Sequence, residues 1–153
     1  MKNKVSCNII VYLLISLIFI NVPVEAATEA ATIDQQQAVL TSTSNWILKQ
    51  AFQNKKSGLQ VQGRGVVKRL LSDDVNGDRH QRFILQLANK QTLLISHNID
   101  IAPRLTGLRS GDKVAFYGLY EWNSKGGLVH WTHHDPDGNH VNGWLRFRGK
   151  IYQ

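Results

Sequence analysis

The segments HQRFILQLA (residues 80–88) and QTLLISH (residues 91–97) decide the fold, because together they predict a β-hairpin. In both segments apolar and polar residues alternate over a few positions, which is typical of half-buried strands. A turn centred on Asn89 and Lys90 would join them. Residues paired across this hairpin then have numbers that sum to 179.

This register predicts one apolar face and one mixed, basic face. The apolar face, carrying Phe83, Leu85, Leu87 and Leu94, is the predicted core. The mixed face carries His80, Arg82, Ile84, Gln86, Leu93, Ile95 and His97. On it His80 and His97 would lie diagonally opposite each other, about 7–8 Å apart and within reach of a shared ligand. The alternative is that both are simply polar residues near a hairpin end.

The residues around the hairpin extend the β pattern in both directions. Gly63 and Gly65 suit a bulge or sharp bend in the preceding strand, and Asn76-Gly77 is a strong turn signal. Pro103 argues against a central strand in residues 98–110. Further strands are predicted over residues 59–71, 112–122 and 128–133, with a sixth over 143–152. We therefore predict a mainly β fold, a small OB-like barrel of five or six strands with an N-terminal helix.

The first 26 residues have the three-part pattern of a secretory signal peptide. Lys2 and Lys4 precede an apolar run over residues 9–20, and residues 24–26 form an A-x-A-like cleavage site. An uncleaved anchor is the alternative, but the run is shorter than the roughly 20 residues that a spanning helix needs. The predicted organisation is a signal peptide over 1–26, a polar leader and helix over 27–58 and a barrel over 59–153. We expect Asp34 to cap the helix and Gly58 to end it.

Removal of residues 1–26 would change the chemistry of the chain. It takes away Cys7, the only cysteine, and leaves 16 Lys and Arg against 10 Asp and Glu, a net charge of +6. About 127 residues suffice for one domain. We expect an exported monomer, periplasmic or secreted, with no stable membrane span after cleavage. Its basic surface would suit an anionic polymer or a component of the cell envelope.

All six histidines fall between residues 80 and 140, and four of them lie in HWTHHDPDGNH (residues 130–140). Neutral imidazole is a good ligand for zinc and copper, and clustered histidines are a compositional signal for metal binding. A turn through Asp135 would gather His133 or His134 with His140. The candidate metal ligands are His80, His97, His130, His133, His134, Asp135 and His140. The alternative is a hydrogen-bonded polar surface whose histidines fix the loop geometry.

Two other classes of function stay open at this point. A metal-dependent hydrolase acting on a nucleic acid or glycan would need an activated water, but no specific catalytic arrangement is present. A basic module binding an anionic polymer would use exposed cations and aromatic rings. The candidate ligand-binding residues are Arg82, Asn98, Asp100, Arg104 and Trp131.

Three blocks of the chain, DDVNGDRHQRFIL (73–85), HNIDIAPR (97–104) and GGLVHWTHHDPDGNHVNGW (126–144), resemble a bacterial family of small exported proteins, domain of unknown function 3465. The likeness covers about residues 59–152. It implies a bacterial, exported domain in which the six histidines match motif histidines of the family. It implies no activity.

Overall fold

The computed structural model of the protein describes residues 24–153, with side chains from residue 28 onward. Most of the predicted signal peptide, residues 1–23, lies outside the described residues, so export stays a prediction. Within residues 24–153 no helix is both long and apolar enough to cross a membrane.

One helix and seven strands make up this part of the chain. Helix α1 spans Val24–Gln53. The strands are β1 (Leu59–Leu70), β2 (His80–Gln86), β3 (Thr92–Asn98), β4 (Lys113–Glu121), β5 (Leu128–His130), β6 (Trp144–Phe147) and β7 (Lys150–Tyr152).

Five of the strands close into a barrel in the order β1-β2-β3-β5-β4, with β4 pairing back onto β1. The β3–β5 pair is parallel and the other pairs are antiparallel. Strands β6 and β7 extend the sheet outward from β4. The core inside the barrel includes Phe83, Leu85, Phe116 and Tyr120, all fully buried. The prediction of a mainly β, OB-like barrel with an N-terminal helix is confirmed.

Strand β1 closes the barrel because it pairs with two partners in succession. Its first part, Leu59 to Val66, pairs with β4, and its last part, Val66 to Leu70, pairs with β2. A side chain at Gly65 would place Cβ 2.4 Å from the carbonyl oxygen of Gln86. The glycine therefore allows the two backbones to approach where the partners change. The ladder shifts between Val67 and Arg69, slightly beyond the expected position at Gly63 and Gly65.

The predicted register of the β2–β3 hairpin is wrong by one residue. Gln81 pairs with His97 and Phe83 with Ile95, so paired numbers sum to 178. The reversal runs from Leu87 to Gln91. The amide of Leu87 donates to the carbonyl oxygen of Gln91, and the amide of Lys90, a residue at positive φ, donates to the carbonyl oxygen of Leu87. A longer loop centred on Asn89 replaces the expected two-residue turn. Because side chains alternate with period two, this slip places Leu93, Ile95 and His97 inside the barrel and Leu94 on its surface.

Helix α1 also differs from the expectation. Its described part spans Val24–Gln53 and includes the segment predicted as a polar leader, so Asp34 lies inside the helix and does not cap it. Only its C-terminal part packs on the barrel, through Leu48 and Ala51, which are almost fully buried. The expectation that Gly58 ends the helix is wrong, because α1 ends at Gln53, and Gly58, at positive φ, lies just before β1.

The predicted sixth strand is in fact a second hairpin. Strands β6 and β7 are joined at Arg148 and Gly149, which both have positive φ. Two consecutive residues at positive φ define the tight turn that matches the twist of antiparallel strands. The signal was present in the sequence as Arg148-Gly149-Lys150, but arginine seldom occupies such a position.

Candidate histidine site

The histidine loop, residues 131–143, begins where β5 ends. Strand β5 stops at His130, and Trp131 has φ of 48°, outside the strand region. Its far end returns at Gly143, whose amide donates to the carbonyl oxygen of His133. A Cβ at Gly143 would lie 2.0 Å from the carbonyl oxygen of Trp131, so the return depends on glycine at this position.

Asp135 organises the interior of the histidine loop. Its carboxylate accepts hydrogen bonds from the amides of Asp137, at 3.0 Å, and His140, at 2.7 Å. Its own amide donates to the side-chain oxygen of Asn142 at 2.8 Å. Burial raises the pKa of Asp135, but these amide hydrogen bonds outweigh burial and hold it below the ordinary value. The carboxylate is therefore ionised and faces His140, whose Nε2 lies 3.8 Å away.

His133 and His140 are held as a pair. Nδ1 of His133 lies 2.8 Å from the carbonyl oxygen of His134, and Nδ1 of His140 lies 2.9 Å from that of Val141. A carbonyl oxygen can only accept, so both Nδ1 atoms carry a proton, and the lone pair of each neutral ring is then on Nε2. The two ring centroids are 5.2 Å apart, with the planes near perpendicular at 78°.

His130 and Trp131 continue this cluster. The Trp131 ring stacks on the His140 ring, with centroids 4.2 Å apart. The ring centroids of His130 and Trp131 are 5.3 Å apart. Nε2 of His130 is buried without a hydrogen-bond partner among residues 24–153. Burial lowers the pKa of both His130 and His133, so their rings are neutral at neutral pH. Neutral rings with free nitrogens are suited to coordinate a cation.

His97 belongs to the core and not to this cluster. It is fully buried. Its Nε2 donates to the carbonyl oxygen of Pro103 at 3.1 Å, so Nδ1 accepts from the Thr132 hydroxyl at 2.9 Å. Burial lowers the pKa of His97 to about 4. Both ring nitrogens are occupied, so His97 is a buried structural histidine and not the polar residue near a hairpin end that was the alternative.

The predicted pairing of His80 with His97 is wrong because the register of the hairpin differs by one residue from the prediction. His80 lies opposite Asn98, on the other side of the sheet from His97. Its Nδ1 lies 2.8 Å from the carbonyl oxygen of Asp78, in its own loop. His134 is exposed, and its side chain makes no hydrogen bond to any other described residue.

Four of the predicted ligand-binding residues pair with residues of the β1–β2 loop, and three of these pairs join that loop to residues 98–104. Arg104 pairs with Asp73, Arg82 with Asp74, Asn98 with Asp78, and Asp100 with Arg79. Hydrogen bonds from the backbone and side chain of Arg79 lower the pKa of Asp100. The blocks DDVNGDRH and HNIDIAPR therefore bind each other, and their polar residues serve the fold. Of the predicted ligand-binding residues, Trp131 alone lies in the histidine cluster.

Sequence reasoning missed two polar residues that hold this region. Gln81 exchanges two hydrogen bonds with the backbone of Leu105, at 3.1 and 2.9 Å, and fixes the irregular link after β3. Thr132 is fully buried and fixes His97. Alternation along β2 already places Gln81 on the face of Phe83 and Leu85, which was the signal for a buried amide.

His130 at the end of β5 lies close to His133, Asp135 and His140 of the histidine loop, whereas His80, His97 and His134 lie outside this cluster. In the part of the chain that the structure describes, no three His, Cys, Asp or Glu side chains already form a group that could hold a metal ion. Binding by more than two residues would therefore require ring rotations within the loop.

The family described as "Protein of unknown function (DUF3465)" matches residues 32–153, most of the chain. The protein belongs to the DUF3465 family. This match confirms the resemblance carried by the three sequence blocks. No curated protein matches the chain.

Proposed function

We propose that this DUF3465 protein is an exported binding module that holds a transition metal, zinc or copper, on the histidine loop. His133 and His140 are the primary ligands, and His130 or Asp135 completes the coordination after local rotation. The export part of the proposal rests on the signal-peptide pattern of residues 1–26.

The observation that carries the proposal is the geometry of the His133–His140 pair. Two imidazoles bound to one tetrahedral zinc, each through a nitrogen at about 2.1 Å, have ring centroids about 5 Å apart. The separation of the two rings is 5.2 Å. Each ring also donates Nδ1–H to a backbone carbonyl and leaves Nε2 free, which is the arrangement commonly found behind metal-bound histidines.

Two neighbouring groups support the pair. Asp135 supplies an ionised carboxylate oxygen 3.8 Å from Nε2 of His140. His130 supplies a buried nitrogen that lacks a partner, a state that costs free energy until it is satisfied. Metal binding would satisfy it.

Calorimetric titration of zinc and copper into untagged protein, purified in chelator and then dialysed, tests the proposal. We expect one ion per chain, with the affinity reduced at least about tenfold in His133→Ala and in His140→Ala. His134→Ala is the matched control, since it removes an exposed histidine of the same loop. Binding that is absent from the wild-type protein, or that falls equally in His134→Ala, would refute the proposal.

A further inference from the structure

A groove runs between helix α1 and the outer face of strands β1, β4 and β6, separate from the histidine cluster. It consists of two adjoining cavities of about 460 and 230 Å³. Both are lined by Leu40 and Ser44 of the helix and by Gln62 and Trp144 of the sheet. Cavities of several hundred Å³ are large enough for a small-molecule group.

The strand registers arrange the floor of this groove in two parallel rows. Across β1, β4 and β6, Gln62 pairs with Tyr117 and Tyr117 with Trp144, which gives an aromatic row. Two residues further along these strands, Arg64 pairs with Ala115 and Ala115 pairs with Arg146. The two arginines form a cationic row. Residues two apart on a strand share a face, so the rows are about 7 Å apart.

The cations of this face have no acidic partners. The arginines Arg79, Arg82, Arg104 and Arg148 are paired with aspartates. Arg64 and Arg146 form no ion pair with any residue in 24–153, and the guanidinium of Arg146 lies 5.2 Å from the Trp144 ring centroid. Arg64 also lines a third cavity, of about 480 Å³, together with Lys90 and Lys113. Unpaired positive charge therefore continues past the end of the groove.

The aromatic row and the adjoining Gln60 can still contact a ligand. Tyr117 and Trp144 are half-buried, with ring centroids 6.2 Å apart and planes tilted by 33°. Gln60 lines the larger cavity, and its Nε2 is buried with no acceptor in the described part of the chain. A ligand that fits this site has planar groups, hydrogen-bond acceptors and regularly spaced negative charges.

We propose that this groove binds single-stranded nucleic acid, with bases against Tyr117 and Trp144 and phosphates along Arg64 and Arg146. Proteins that bind single strands combine an aromatic stacking surface with a cationic groove that follows the backbone. The two rows provide both at a spacing of about 7 Å, the order of the distance from a base to its own phosphate. An acidic polysaccharide matches the cations but offers no planar group to the aromatic row.

Fluorescence anisotropy with a labelled oligothymidine of roughly 12 nucleotides tests the proposal. We expect binding that weakens steeply with salt, weaker binding to a duplex of the same length, and poor competition by thymidine monophosphate or polygalacturonate. Equal competition by the monophosphate would mean a site for free nucleotides, and equal competition by polygalacturonate a site for any polyanion. Either result, or absence of binding at low salt, would overturn the proposal.

Two sets of variants locate the site. The double substitution R64A/R146A should weaken binding at least about tenfold and lower the salt slope by about 1.4, the value for two lost phosphate contacts on a single strand. K56A/K125A removes the same charge from positions outside all three cavities and should leave both quantities unchanged. Equal effects in the two double variants would reject the groove.

The aromatic row is tested separately. Tyr117→Leu should weaken binding about tenfold, as expected for the loss of one stacked base. Trp144→Phe keeps a ring at the neighbouring position and should bind nearly as well as the wild-type protein. Circular dichroism and thermal melting establish that each variant is folded. A folded Tyr117→Leu variant with wild-type affinity would show that no base stacks there.

Discussion

His97 shows how a residue selected for metal chemistry can serve the core instead. Its ring is fully buried and bridges Thr132 and Pro103, and burial lowers its pKa to about 4. The unfolded chain releases its proton near pH 6.5, so between these values the unfolded state binds more protons than the folded state. Stability from this residue is therefore complete above pH 6.5 and is lost as the pH falls toward 4.

The size of this effect can be measured. The shift corresponds to about 3 kcal/mol of unfolding free energy. In urea titrations at pH 7.5 and pH 5, we expect the wild-type protein to be clearly less stable at the lower pH. His97→Leu should be less stable at pH 7.5, because Thr132 and Pro103 lose their partner, but should depend less on pH, and His130 and His133, whose pKa values burial also lowers, account for the dependence that remains. An unchanged pH dependence in this variant would contradict the assignment. His134→Leu, at an exposed position, is the control.

At the residue scale the sequence located the histidine cluster but not the role of each histidine. The spacing of His130, His133 and His140 was sufficient to predict their neighbourhood, since His130 ends β5 and the other two lie in the loop that follows it. The exclusion of His97 depends on the hairpin register, and a shift of one residue reverses the face. The pairing of Asp73 with Arg104 was not predictable, because they lie in separate loops.

At the element scale the histidine loop depends on close backbone contact at Gly143. A Cβ there would approach the carbonyl oxygens of Trp131 and Tyr117 at 2.0 and 2.6 Å. Gly143→Ala should therefore destabilise the protein by at least about 2 kcal/mol, in the upper range for single substitutions. Gly138 lies in the same loop with open space around its Cα but at positive φ.

Gly138→Ala is thus the matched control for steric contact. It should lose only the roughly 1 kcal/mol that an alanine pays in a left-handed conformation. Denaturant unfolding of both variants separates the two effects. A loss in Gly143→Ala no greater than in Gly138→Ala would contradict the close return of the loop.

The connections between antiparallel strands show which turns can be predicted from local sequence. Asn76-Gly77 lies in the connection between β1 and β2, as the turn chemistry indicates. At residues 87–91 no such dipeptide fixes the loop length, so the register was set by packing of Leu93 and Ile95 in the core. The β6–β7 turn uses Arg148 at positive φ, which local preference disfavours.

At the scale of the whole molecule, helix α1 is attached to the barrel through a short stretch. Leu48 is fully buried, whereas its neighbour Ile47 is 41 % exposed. Leu48→Ala should cost about 2–5 kcal/mol of unfolding free energy. Ile47→Ala should cost much less. Thermal unfolding of the two variants compares them directly, and equal losses would show that the helix does not dock by this residue.

The barrel itself was predictable from strand number, turn signals and the irregular link after β3. The length of α1 was not, because residues 28–33, ahead of the expected cap, are exposed and carry no apolar stripe that would indicate a helix. The groove was also not predictable, since its two rows require the pairing of β1, β4 and β6.

The central claim is that His133 and His140 share a metal ion. The most direct test is an anomalous difference map, recorded at the zinc absorption edge, from crystals grown with one equivalent of zinc. We predict a single strong peak within about 2.1 Å of Nε2 of both residues. A peak elsewhere on the chain, or no peak at the histidine loop, would contradict the claim.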